Sequence, residues 1–237
     1  MINKALQRTP EDDDLIMALL NAYLIKGSYD DADRIVKTHT FAPRHRSTGL
    51  RDEYRSLRYG MGTAAFNNGD YTQALSLFQS VLKPPASLNL DTFEFQNAPR
   101  AYYYIGRTLD ALGRKDEAAA AYRQSTAGIE LLTGDRDSWN GENFFMVLSL
   151  EKLGQADKAN ALIPHFEGFA RTEMDYASPT LRGRARYLLA LIEKNAGHDD
   201  QARRFMNDAL QSFPDYLPPR YELRGDEIDP VATGSKH

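Results

Sequence analysis

The chain of 237 residues reads as an all-α solenoid of about five helix pairs, and three observations lead there. First, a glycine followed five residues later by an alanine recurs at Gly27/Ala32, Gly69/Ala74, Gly113/Ala118, Gly154/Ala159 and Gly197/Ala202, with spacings of 42, 44, 41 and 43 residues between glycines. Self-similarity at a fixed period of this size is the mark of a stacked repeat. Second, an apolar-periodic segment runs into each glycine, and a second one carrying the alanine starts after a short polar stretch, which is a helix, a tight turn and a helix. Third, four residues beyond each alanine stands a larger apolar group: Val36, Phe78, Tyr122, Ile163 and Met206. One helical turn separates the two, so both lie on the same buried face.

Each small residue has a stated job. The glycine closes the first helix, where a left-handed backbone is needed. The alanine marks the point where two helices cross closely and a larger side chain would push them apart. In unit three the full pattern is Tyr102, Ile105-Gly106, Leu109, Gly113, Ala118 and Tyr122; in unit two it is Met61-Gly62, Gly69, Tyr71, Ala74 and Phe78. The last unit closes with "NDALQSFP", ending at Pro214. These marks resemble the tetratricopeptide repeat (TPR), with Leu20 and Val147 standing in units one and four where the first-helix glycine is expected. The resemblance covers most of the chain and implies a right-handed superhelix whose first helices line a concave groove.

The expected organisation follows. Residues 1–10 match the end of a second helix ("KALQRTP" against "DALQSFP") and read as the tail of a truncated earlier repeat, so that the chain reads as a piece of a longer protein. Five pairs occupy 11–50, 51–97, 98–140, 141–178 and 179–214, and 215–237 form a C-terminal cap or tail. The period exceeds that of the family by several residues. The excess falls in "HTFAPRHRSTGL", "KPPASLNLDTFEFQNAPR", "LTGDRDSWNGEN" and "RTEMDYASPTLRG", whose Pro, Gly, Ser, Asp and Asn content predicts loops emerging on one face. Phe93, Phe95, Trp139 and Tyr176 lie in them. Stretched repeats of this kind, with "HTFAPRHRSTGLRDEY" and "RARYLLALIEKNAGHDDQARRFMNDALQSFPDY", also resemble the C-terminal region of large bacterial proteins that carry an N-terminal domain of uncharacterised function. That resemblance implies an accessory module, in carbohydrate metabolism among other settings.

Composition narrows the function classes. The formal charge of −4 does not suggest nucleic acid as a partner, and the absence of cysteine excludes disulfides and thiolate metal sites. No stretch approaches the roughly 18 apolar residues of a membrane helix, and the N-terminus lacks the apolar core of a signal peptide, so a cytoplasmic location is expected. Neither a phosphate loop nor a nucleophile elbow occurs, the five histidines are scattered, and no cofactor or metal is expected. His39 and His45 share a segment with no carboxylate close in sequence. The "EDDD" run at Glu11–Asp14 suits a helix N-terminus. "GDRD" at 134–137 reads as turn chemistry.

The candidate site is the groove. Three residues before each first-helix glycine position stand Met17, Tyr59, Tyr103, Phe144 and Tyr187; Arg107 lies one turn further on, and Arg100 and Arg184 one turn back. Tyr and Arg dominate binding hot spots, and arginine holds carboxylates with paired hydrogen bonds. Tyr59, Arg100, Tyr103, Arg107, Phe144, Arg184 and Tyr187 are therefore the candidate partner-binding residues of a non-catalytic scaffold for a protein or peptide. Two readings of the aromatics stand side by side: packing between first helices, or packing together with partner contact. For the arginines the competing reading is a solvated face. A second functional reading makes the array an accessory domain packed in cis on another domain of the same polypeptide.

Overall fold

The computed structural model describes residues 9, 11–43, 48–90, 98–132 and 138–224. Eleven α-helices are present among them: α1 (Asp13–Lys26), α2 (Tyr29–Thr38), α3 (Thr48–Asn67), α4 (Tyr71–Ser80), α5 (Pro99–Ala111), α6 (Lys115–Ser125), α7 (Phe144–Lys152), α8 (Ala156–Met174), α9 (Pro179–Asn195), α10 (Asp199–Ser212) and α11 (Leu217–Arg224). Helices α1/α2, α3/α4, α5/α6, α7/α8 and α9/α10 form successive hairpins, and each hairpin packs on the next. No strand occurs among the described residues.

Each hairpin is built as its small residues require. Gly27, Gly69, Gly113, Gly154 and Gly197 all adopt φ between +72° and +80°, the left-handed region that ends a helix without steric cost only when Cβ is missing. In α1 the amides of Gly27 and Ser28 bond back to the carbonyls of Leu24 and Tyr23. Ala32, Ala74, Ala118, Ala159 and Ala202 are buried. The crossing is closest at Gly62 and Gly106, where a Cβ would stand 2.5 Å from the rings of Phe78 and Tyr122 respectively. In unit five Ala190 takes this place and packs with Ala202 and Met206.

Several expected loop residues are helical. Helix α3 begins at Thr48 and α8 runs to Met174, with α9 starting at Pro179. The stretched period is thus taken up partly by longer helices. The residues of "RTEM" continue α8 because Ala170 and Glu173 are buried on its inner face, and burial outweighs the weak turn propensity of the segment. Ser178 then caps α9 by accepting from the Leu181 amide, and Pro179 occupies the first turn, where its missing N–H costs nothing.

The "EDDD" run divides its labour. Asp12 caps α1, accepting from the amides of Asp14 and Leu15. Asp13 instead bonds His39 Nε2 at 2.7 Å and accepts from the Ala42 amide. His39 thus has a carboxylate beside it that the sequence spacing of 26 residues concealed, and the contact ties α1 to the end of α2. Among the described residues no group of three His, Cys, Asp or Glu is placed to hold a metal ion. His45, the "GDRD" segment, Phe93 and Phe95 lie outside the described residues.

Candidate partner-binding groove

The first helices form the inner layer: α1 packs on α3, α5 on α7, and α7 on α9. Repeated positions on these helices consequently face one another, which is how residues far apart in sequence converge.

Arg100 stands at the centre. Its guanidinium lies 4.6 Å from the centroid of the Tyr59 ring, 5.5 Å from Tyr104 and 5.2 Å from Phe145, an aromatic enclosure favourable to a delocalised cation. Burial opposes its charge, but Tyr187, Glu142, Tyr59 and Glu222 together more than offset this and push the pKa up. Tyr59 donates to Glu142 Oε1 at 3.2 Å across 83 residues of sequence. Burial, and then the Glu142 carboxylate, raise the Tyr59 pKa well above its ordinary value. Tyr103 accepts a hydrogen bond from Arg107 Nη1 at 3.2 Å and packs against Tyr104, Tyr122 and Phe145. Phe144 meets Phe166 edge to face. Tyr187 meets Tyr216 edge to face, with centroids 5.6 Å apart.

The structure therefore joins Tyr59, Arg100 and Tyr187 in one cluster and Tyr103 and Arg107 in an adjoining one. Of the seven candidate residues, all but Arg184 are buried, and Arg184 is exposed. Its charge reaches Tyr216 electrostatically.

Three participants escaped the repeat pattern. Glu142 precedes α7, Tyr216 precedes α11, and Glu222 lies within α11. Leu223 of α11 packs against Ala190, Ala202 and Met206 of the last hairpin. Helix α11 packs on α1 and α3 as well as on α10, and Leu217 joins the cluster formed by Ile16, Leu20, Leu24, Leu50, Tyr54 and Leu57. Glu222 receives Lys194 Nζ at 2.6 Å. At the α1–α3 end of the groove, burial raises the Glu53 pKa to about 7; a hydrogen bond from Asn21 opposes the rise and the Asp52 charge adds to it.

Of the loop aromatics, Trp139 takes a structural place. Trp139 stacks on His165 at 5.2 Å and meets Phe166 edge to face, whereas Tyr176 is exposed.

This architecture is that of a helical-repeat solenoid with an inner face rich in aromatics and cations. Tetratricopeptide-repeat family models match residues 59–129 and 184–216. Residues 59–129 and 184–216 thus carry tetratricopeptide repeats, a repeat whose arrays serve as protein-interaction scaffolds. Among solved structures it is similar to YrrB, a TPR protein with an unusual peptide-binding site, at 17% identity over 94% of this chain and 97% of that one, with a TM-score of 0.36. It is also similar to two structures of MamA, each 18% identical with a TM-score of 0.31, covering 84% and 81% of this chain and 90% and 92% of theirs. No curated protein matches the chain. Among the described residues no helix is long and apolar enough to cross a membrane.

Proposed function

We infer that the chain is a non-catalytic scaffold that holds a protein or peptide segment in its concave groove, with Tyr59, Arg100, Tyr103, Arg107, Phe144, Arg184 and Tyr187 forming the recognition surface and the framework behind it. One observation carries this reading: exposed Arg184 lies one turn from Tyr187 on α9 and acts electrostatically on Tyr216, which packs on the Tyr187 ring, so that a solvent-facing cation stands beside the buried cluster of Arg100 and Tyr187. Such a surface suits a segment that brings a carboxylate for the exposed cation. Tyr103, Arg107 and Phe144 serve as support, holding the first helices at the spacing that shapes the groove.

The experiment is a comparative capture from source-cell lysate using the wild-type chain, Arg184→Glu on the groove side and Arg123→Glu on α6. Both side chains are exposed, so neither change disturbs the core. A partner held by the wild type and by Arg123→Glu but lost from Arg184→Glu supports the reading. The same set of proteins on all three baits, or none, refutes groove recognition.

A further inference from the structure

Helix α11 does more than seal the last hairpin. Its approach places an aromatic, a leucine and a carboxylate on the inner face in turn. The Tyr216 ring lies against Tyr187, Leu217 is buried with α1 and α3 side chains, and Glu222 pairs with Lys194 while acting electrostatically on Arg100 and Tyr187. These contacts match, group for group, what the groove can recognise: a ring for a ring, an apolar slot for Leu217, and cations for an acid. A cap alone requires only a polar outer face over the final pair, and Leu223 over Ala190, Ala202 and Met206 already meets that need. Contacts reaching back to α1 and α3, at the opposite end of the array, are not needed for it.

Resting on the scaffold reading above, we propose that α11 is a tethered occupant of the binding groove, and that the partner is a short helical segment of the same chemistry, an aromatic-leucine pair followed five residues later by a carboxylate, which displaces it. The covalent link from α10 is short, residues 213–216, so α11 is present at high effective concentration and weak intrinsic contacts suffice to hold it. A partner then sees only the fraction of molecules in which α11 has left, and its apparent affinity falls by that fraction. The groove is gated in this way without any moving domain.

The test uses the full chain. A fluorescein-labelled peptide with the sequence of residues 213–224 is titrated by anisotropy into the wild type and into Leu217→Asp, which removes the apolar anchor of α11. The opened variant is expected to bind the peptide at least about tenfold more tightly than the wild type, and the same peptide carrying E222K is expected to lose that binding. Equal binding to both chains overturns tethered occupancy while leaving a binding groove in place. No binding to either overturns the proposal itself, and the capture experiment then judges the scaffold reading alone. Concentration-dependent dimers that exchange α11 put a second copy in the groove and also overturn it. Should Leu217→Asp fail to fold, hydrogen exchange on the wild type decides. Amides of α11 that open well before those of α9 support displacement, and amides that exchange only with global unfolding make α11 a permanent cap.

Discussion

Gly106 offers a quantitative test of the packing that shapes the inner layer. A Cβ at this position would lie 2.5, 2.7 and 2.8 Å from Cε1, Cδ1 and Cζ of Tyr122. Ordinary carbon–carbon contact needs about 3.5–4.0 Å, so the ring must retreat by roughly 1 Å. It has little room: Tyr122 is buried, packs against Tyr103, and donates to Asp110 Oδ2 at 2.7 Å. Overpacking of this kind costs about 2–3 kcal/mol, and the better helix propensity of alanine returns about 1 kcal/mol. Gly106→Ala is therefore expected to lose about 1–2 kcal/mol net. Gly168, inside α8, supplies the control, because a Cβ there meets nothing within 4 Å. Gly168→Ala is expected to gain about 0.5–1 kcal/mol. Urea unfolding followed by far-ultraviolet circular dichroism measures both. If Gly106→Ala is as stable as Gly168→Ala, the close helix crossing is not what sets the hairpin geometry.

Three further outcomes are expected. Gly113→Ala forces a side chain onto φ +75° and should cost about 1 kcal/mol with no packing change, since nothing lies within 4 Å; an unchanged urea midpoint refutes the left-handed cap. Glu53 holds its proton in the folded protein up to about pH 7 but only to its ordinary value of 4.5 when unfolded. The folded state thus binds more protons between these values, and stability falls as pH rises through that window, by about 3 kcal/mol at 1.36 kcal/mol per pH unit. Glu53→Gln should flatten the slope, and parallel stability profiles from pH 4.5 to 8 for the two proteins would rule this out. Arg100→Ala should cost about 3–5 kcal/mol, because it empties a space between three rings and strips Glu142 and Glu222 of a nearby cation; a change in melting temperature no larger than that of a surface substitution would refute the enclosure.

The candidate site was legible where the repeat speaks and silent elsewhere. Tyr59, Arg100 and Tyr187 occupy equivalent or neighbouring turns of the first helices of units two, three and five, so alignment of the repeats brings them to one face before any coordinate is known. Glu142, Tyr216 and Glu222 belong to segments that do not repeat, and no periodic argument reaches them. The same holds for His39, whose carboxylate partner is 26 residues away. Segments read as loops from their Pro, Gly, Ser, Asp and Asn content proved partly helical, from Thr48 and through Met174; at Met174 propensity yields to the burial of side chains such as Ala170 and Glu173.

Helix pairing, the left-handed glycine caps and the glycine or alanine at each crossing are local matters. They depend on side chains within one hairpin, and a one-dimensional pattern of apolar, small and polar residues encodes them in full. How the five hairpins curve is a sum of small rotations between neighbours, and where α11 comes to rest depends on that sum. The fit of Leu217 against α1 and α3, and of Glu222 beside Lys194 and Arg100, joins residues separated by up to about two hundred positions. No periodicity spans such a separation, so only the folded array decides where α11 comes to rest.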